Sequence, residues 1–135
     1  MAYNAQKISP IDFKPSVGVG VSLPFNGKAC FNPTFTTQEA IKNNLINWFL
    51  TNKGERPLNP NFGGNLRSFL FQQIEEDTLE FLEIDIQSQL STYFSNITIE
   101  NLEISTEPDT HKINVLLKYS VQSTSITDEL NITFD

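Results

Sequence analysis

A chain of 135 residues is one domain in size and long enough to bury a core without help from a metal or a disulfide. Its 39% apolar content, with 11 Phe, excludes a disordered chain, and the single Cys30 excludes an intramolecular disulfide and suits a reducing compartment. A net charge of −7 argues against nucleic acid as a partner, and no apolar run is long enough to cross a membrane. The N-terminus also lacks the basic-then-apolar layout of a secretion leader.

The charge is unevenly placed. Residues 1–74 carry seven basic side chains against three acids, and residues 75–135 carry two against thirteen. Such a distribution either solvates one acidic face or steers the docking of a basic partner.

Residues 1–16 hold Pro10 and Pro15 among unphased apolar residues and are expected to form an extended arm on residues 17–135, a single α+β domain. Val17, Val19, Val21 and Leu23 alternate as one face of a strand, with glycines opposite that admit another backbone. Pro24-Phe25-Asn26-Gly27 turns the chain, and residues 29–35 are expected back as a short strand, completing a hairpin.

Thr36 and Glu39 have capping-box spacing at the head of a helix. Ile41, Leu45, Trp48 and Phe49 form its apolar stripe, with Trp48 read as core, and Gly54 is expected to stop it. The run from Gly54 to Gly64 then holds three glycines, two prolines and two asparagines, which no helix or interior strand accommodates. Within it lie an adjacent charge pair, Glu55 and Arg56, and one large apolar anchor, Phe62.

A short helix is expected over 65–71, with Leu66, Phe69 and Leu70 inward, and Ile74 is placed to staple the next helix. Glu75, Glu76 and Asp77 suit the partial positive charge at that helix's start. Leu79, Leu82, Ile86, Leu90 and Tyr93 recur at helical spacing, whereas Phe81 and Ile84 fall off the stripe and ask for a second contact. From Ile97 the period becomes two. Ile97, Ile99, Leu102 and Ile104 are assigned to one strand, Ile113 to Val121 to a second, and Leu130, Ile132 and Phe134 to a third. The expected fold is therefore α+β: two main helices on one face of a mostly antiparallel sheet, with an N-terminal hairpin and a C-terminal three-strand meander. The last strand is expected at an edge, where unpaired backbone groups can engage another chain.

The run Leu50-Thr51-Asn52-Lys53-Gly54-Glu55-Arg56, followed by Asn59-Pro60-Asn61-Phe62-Gly63, resembles the signature of the wedge subunits of contractile-tail baseplates, with relatives in type VI secretion and other injection machines. The likeness covers roughly residues 17–120. It implies a structural virion protein of the tail baseplate, assembled in host cytoplasm, whose partners are the tail sheath protein and the helical core bundle formed by other wedge proteins. It implies that Glu55, Arg56, Pro60 and Phe62 serve the loop and its wedge contact. One departure stands out. Where the family places a Glu-Pro-Arg step, between the long helix and the next strand, this chain reads Tyr93-Phe94-Ser95-Asn96, so the attachment residues do not carry over: either aromatic packing, with Phe94 a candidate, replaces the charged contact, or the partner has diverged too. With Phe81 and Ile84 on the long helix and Leu130, Ile132 and Phe134 on the last strand, these are the candidate partner-binding residues. The competing class is a small adaptor using its arm and edge strand on another complex.

Catalysis is not expected. The single His111 lies in a polar turn beside Lys112, so no nucleophile–base–acid triad can be built, and Cys30 lacks a zinc-ligand partner. No phosphate loop or acidic metal array occurs, and no cofactor is expected. Relatives of the family carry a lysozyme-like label, and glycoside hydrolysis needs only two carboxylates, for instance Glu55 with Glu75 or Glu83. The adjacent Arg56, however, favours the charged form of Glu55, which is the wrong state for a general acid.

Overall fold

The structure, a computed structural model, describes residues 10–13, 16–23, 32–72, 75–107, 109–122 and 126–134. Strands β1 (Gly20–Val21) and β2 (Pro33–Thr34) pair antiparallel as a minimal hairpin. Helix α1 (Thr37–Leu50), the single turn α2 (Leu66–Phe69) and helix α3 (Glu76–Tyr93) follow. Strands β3 (Ile97–Glu107), β4 (Lys112–Val121) and β5 (Ile126–Phe134) form an antiparallel sheet in the order β3-β4-β5. The α+β class, the hairpin and the meander are those expected.

Both long helices and one face of the meander share one apolar core. Leu45, Trp48 and Phe49 of α1 meet Leu82, Ile86 and Leu90 of α3 above Ile113, Val115, Leu117, Tyr119 and Val121 of β4. The clean alternation of β4, buried at every second residue, marks it as the central strand. Strand β3 behaves differently. Ile97 and Ile99 are odd-numbered while Leu102 and Ile104 are even, yet Ile97, Leu102 and Ile104 are all buried. The pairing Ile99↔Tyr119 then Asn101↔Lys118 leaves Glu100 as an extra residue, and this bulge restores the inward phase.

Three local expectations are corrected. Strand β1 is only two residues long, and Val17 and Val21 are exposed, because Gly20 is what faces α1: a Cβ there would sit 3.0 Å from Ala40 Cβ. Helix α1 ends at Leu50 and not at Gly54. Thr51 turns extended (ψ 131°) and its Oγ1 donates back to the Asn47 carbonyl at 2.6 Å, so a β-branched residue with a competing side-chain bond makes the stop. Gly54, at φ +90°, instead shapes the loop, where its N–H donates to the Pro60 carbonyl. At the other end of α1 the Thr36 half of the expected capping box is made, its Oγ1 accepting from Glu39 N–H.

Residues 1–9 of the arm, Ile74, Cys30 and the Asn26-Gly27 turn lie outside the described residues. Pro10–Phe13 forms a 3-10 turn against the start of α1, where Asp12 accepts from both the N–H and the hydroxyl of Thr37.

Candidate protein-interaction site

The loop of residues 52–64 folds onto two helices at once. Its own turns are held by Asn59 N–H to Arg56 carbonyl and Phe62 N–H to Asn59 carbonyl. Its return leg closes the end of α1: Gly64 N–H donates to the Trp48 carbonyl and Asn65 N–H to the Thr51 carbonyl, satisfying acceptors that a helix end leaves orphaned. Gly63 makes this approach possible, at φ +122° and with no room for a Cβ against the Thr51 carbonyl. On the other side, Lys53 pairs with Asp85 of α3 at 3.6 Å.

Glu55 and Arg56 are adjacent in sequence but part company in space. Glu55 accepts from the Asn52 amide at 2.8 Å, whereas the Arg56 guanidinium lies 3.7 Å above the Phe62 ring. Phe62 in turn meets Tyr93, in the last turn of α3, edge-on at 5.3 Å. The structure thus brings Arg56, Phe62 and Phe94 together around a shallow notch of about 250 Å³, whose remaining wall is Asn44, Asn47 and Tyr93. Pro60 is an exposed loop residue whose carbonyl holds Gly54, and it does not line that notch.

Phe81 and Ile84 are 74% and 64% exposed on the outer side of α3, away from the core stripe. Their neighbours in the helix include the acids Asp77, Glu80 and Asp85. Leu130 and Phe134 are buried in the core and Ile132 packs against it, so their side chains belong to the domain itself. What β5 offers outward is backbone.

The direction of that backbone follows from the register. Gln122 N–H donates to the Asn96 carbonyl, so the even residues of β4 bond β3 and the odd ones bond β5. Through Leu117↔Leu130 and Val115↔Ile132, the even residues of β5 face β4 and the odd ones, Thr127, Glu129, Asn131 and Thr133, point their backbone groups away from the sheet. Two side-chain bonds agree with this parity. On the opposite edge, the outward N–H of Ile104 in β3 donates to Glu83 of α3 at 3.3 Å; on β5, the outward N–H of Glu129 donates to Asp128 Oδ1 at 2.8 Å. The helix therefore blunts the β3 edge, and among the described residues no strand pairs with the outer edge of β5.

Asp128 is a residue that periodicity alone did not single out. It stands in phase with Ile126, Leu130, Ile132 and Phe134, a charge on the apolar side of the strand, and that phase was the available signal. Its Oδ1 meets Lys42 of α1 at 3.5 Å, and its Oδ2 accepts from the Tyr119 hydroxyl at 3.3 Å and from Gln38 of α1 at 3.5 Å. Burial alone would raise its carboxyl, but the Glu129 N–H, Lys42, Gln38 and Tyr119 outweigh that and hold it below the usual carboxylate range. Burial, the Asp128 charge and the hydrogen bond to it push the Tyr119 phenol well above its usual value.

Of the carboxylates considered for hydrolysis, two are otherwise engaged: Glu83 accepts from the Ile104 N–H and Glu55 from the Asn52 side-chain amide. His111 is an exposed turn residue at φ +54°. Among the described residues no cluster of His, Cys, Asp and Glu could hold a metal, and no helix is long and apolar enough to cross a membrane.

Residues 36–125 match the family described as baseplate wedge protein gp25. The chain is 32% identical over 84 residues to baseplate wedge protein gp25 of Enterobacteria phage T4, an alignment covering 61% of this chain and 62% of that protein. It thus spans about three-fifths of the length of that relative. Among solved structures, it is similar to a Geobacter sulfurreducens protein described as a tail lysozyme (TM-score 0.64, 23% identity, 73% of this chain and 90% of the other). It is also similar to a chain of the anti-feeding prophage baseplate (TM-score 0.52, 18% identity, 82% of this chain and 78% of the other). At these identities the two structures establish the fold.

Proposed function

Because the chain belongs to the baseplate wedge protein gp25 family, we propose that it attaches to the wedge's helical core bundle and nucleates polymerisation of the tail sheath through strand pairing at β5. Membership makes it a structural component of the tail baseplate in the virion. The observation that carries the finer reading is the asymmetry of the sheet: α3 and Glu83 blunt one edge, while β5 presents Thr127, Asn131 and Thr133 outward. An edge of that kind gives affinity through main-chain bonds and needs no particular outward side chain. The loop with Glu55, Arg56, Pro60 and Phe62, the junction residue Phe94, and the pair Phe81 and Ile84 form the proposed surface toward the wedge.

Replacing Asn131 by Pro removes an outward donor without touching the β4 ladder. Tails assembled with Asn131→Pro are expected to show complete baseplates without sheath by electron microscopy, while the purified variant keeps its fold by circular dichroism. Normal sheath on such tails would overturn the assignment of β5.

The reading includes no catalytic role. Purified protein is expected to leave peptidoglycan intact; turnover that disappears in Glu55→Gln would establish a hydrolase instead.

A further inference from the structure

We propose that the notch between the loop and the end of α3 receives a carboxylate side chain from a partner polypeptide, with Arg56 as the recognising group. The proposal deepens the reading of this loop as a contact element and rests on it.

The geometry of Arg56 carries the argument. Its guanidinium lies 3.7 Å over the Phe62 ring, and Phe62 is itself braced edge-on by Tyr93. Stacking uses one face of a planar cation and leaves its N–H donors radiating from the edge, in the fork that matches a carboxylate. The usual loss of side-chain freedom on binding an arginine is therefore largely incurred already.

No described acid takes up that fork. The ion pairs among the described residues use Lys42, Lys53 and Lys118, and the neighbouring Glu55 is turned to Asn52. Arg56 is also the one charged group lining the notch, in a chain with 16 acids and 9 Lys and Arg. That excess of acids repels an incoming carboxylate from much of the surface, whereas the notch wall carries one cation and no acid. The other walls define the rest of the ligand. Phe62, Tyr93 and Phe94 offer apolar surface for methylenes, and Asn44 and Asn47 offer neutral polar groups. A space of about 250 Å³ holds one side chain and part of its neighbours, and its walls suit glutamate within an apolar context.

The test is a nuclear magnetic resonance titration of the full labelled chain with two capped tripeptides, Leu-Glu-Leu and Leu-Gln-Leu. The Glu peptide is expected to shift the Arg56 Nε–H and the Phe62 and Phe94 ring signals, with the Gln peptide about tenfold weaker for want of a charge-assisted bond. Arg56→Gln protein, checked to melt like the parent, should abolish the preference. Equal shifts from both peptides, or a Glu response centred on Lys42 or Lys118, would overturn the proposal. Wedge assembly is read separately: a chain that binds the Glu peptide but joins no wedge sinks the wedge assignment alone, and one that joins wedges but ignores the peptide sinks this one alone.

Discussion

At Gly63 the backbone lies at φ +122°, and a Cβ there would collide with the Thr51 carbonyl oxygen. The clash is with the backbone of buried Thr51 at the end of α1, so no side-chain rotation relieves it. Gly63→Ala is expected to cost about 2–4 kcal/mol, visible as a lower urea midpoint. An unchanged midpoint would mean that the loop does not seal α1 as described. Asp128 makes a different kind of claim, about pH. Its carboxyl is held below the usual range in the folded chain, so the unfolded chain binds a proton more readily. The stability it contributes is present above about pH 4, the ordinary carboxylate value, and drains away as the pH falls through the lower folded value. Asp128→Asn is therefore expected to be less stable than the parent by about 1–2 kcal/mol at pH 7, with the gap closing under acid. A gap that stayed constant down to about pH 2–3, below the ordinary carboxylate value of about 4, would show the loss to be packing and not charge.

At the scale of elements, most of the fold was legible in the sequence because most elements obey a single period. The stripe Leu82, Ile86, Leu90 of α3 and the alternation of β4 emerge as written. Strand β3 hides its pattern, since Glu100 breaks the count of two, and no composition rule announces a bulge. The end of α1 misled for a related reason: glycine is the commoner stop, but the competing bond of Thr51 acts three residues sooner. The stacking of Arg56 on Phe62 was beyond any periodic reading, because it depends on loop turns that bring residues six apart into contact. The bulge yields a direct test. Without Glu100 the strand would run as a regular ladder, with Ile97, Ile99, Leu102 and Ile104 on one face at a strict period of two. No core residue changes face, so the variant lacking Glu100 is expected to stay folded, whereas turning two aliphatic residues outward would cost about 1.5–3 kcal/mol each. A deletion variant that fails to fold would require a different register.

For the whole molecule the question is which surfaces are finished and which await another chain. Two of the basic residues in the first half are spent internally on acids of the second, Lys42 on Asp128 and Lys53 on Asp85, and both contacts tie an element near the N-terminal side to the C-terminal one. What remains outward on α3 is acidic with Phe81 and Ile84 set into it. Neither residue supports the core, so Phe81→Ser with Ile84→Ser should leave the melting behaviour within about 0.5 kcal/mol of the parent. In a purified wedge reconstitution the same pair should weaken association by at least about tenfold if these two are anchors, since truncating an anchor typically costs more than 1 kcal/mol. High salt should weaken it further if the acids around them steer a basic partner. Undiminished association of the double variant would leave the loop and its notch as the sole wedge contact, and would mean that an apolar pair is left in water on this helix for no reason its assembly supplies.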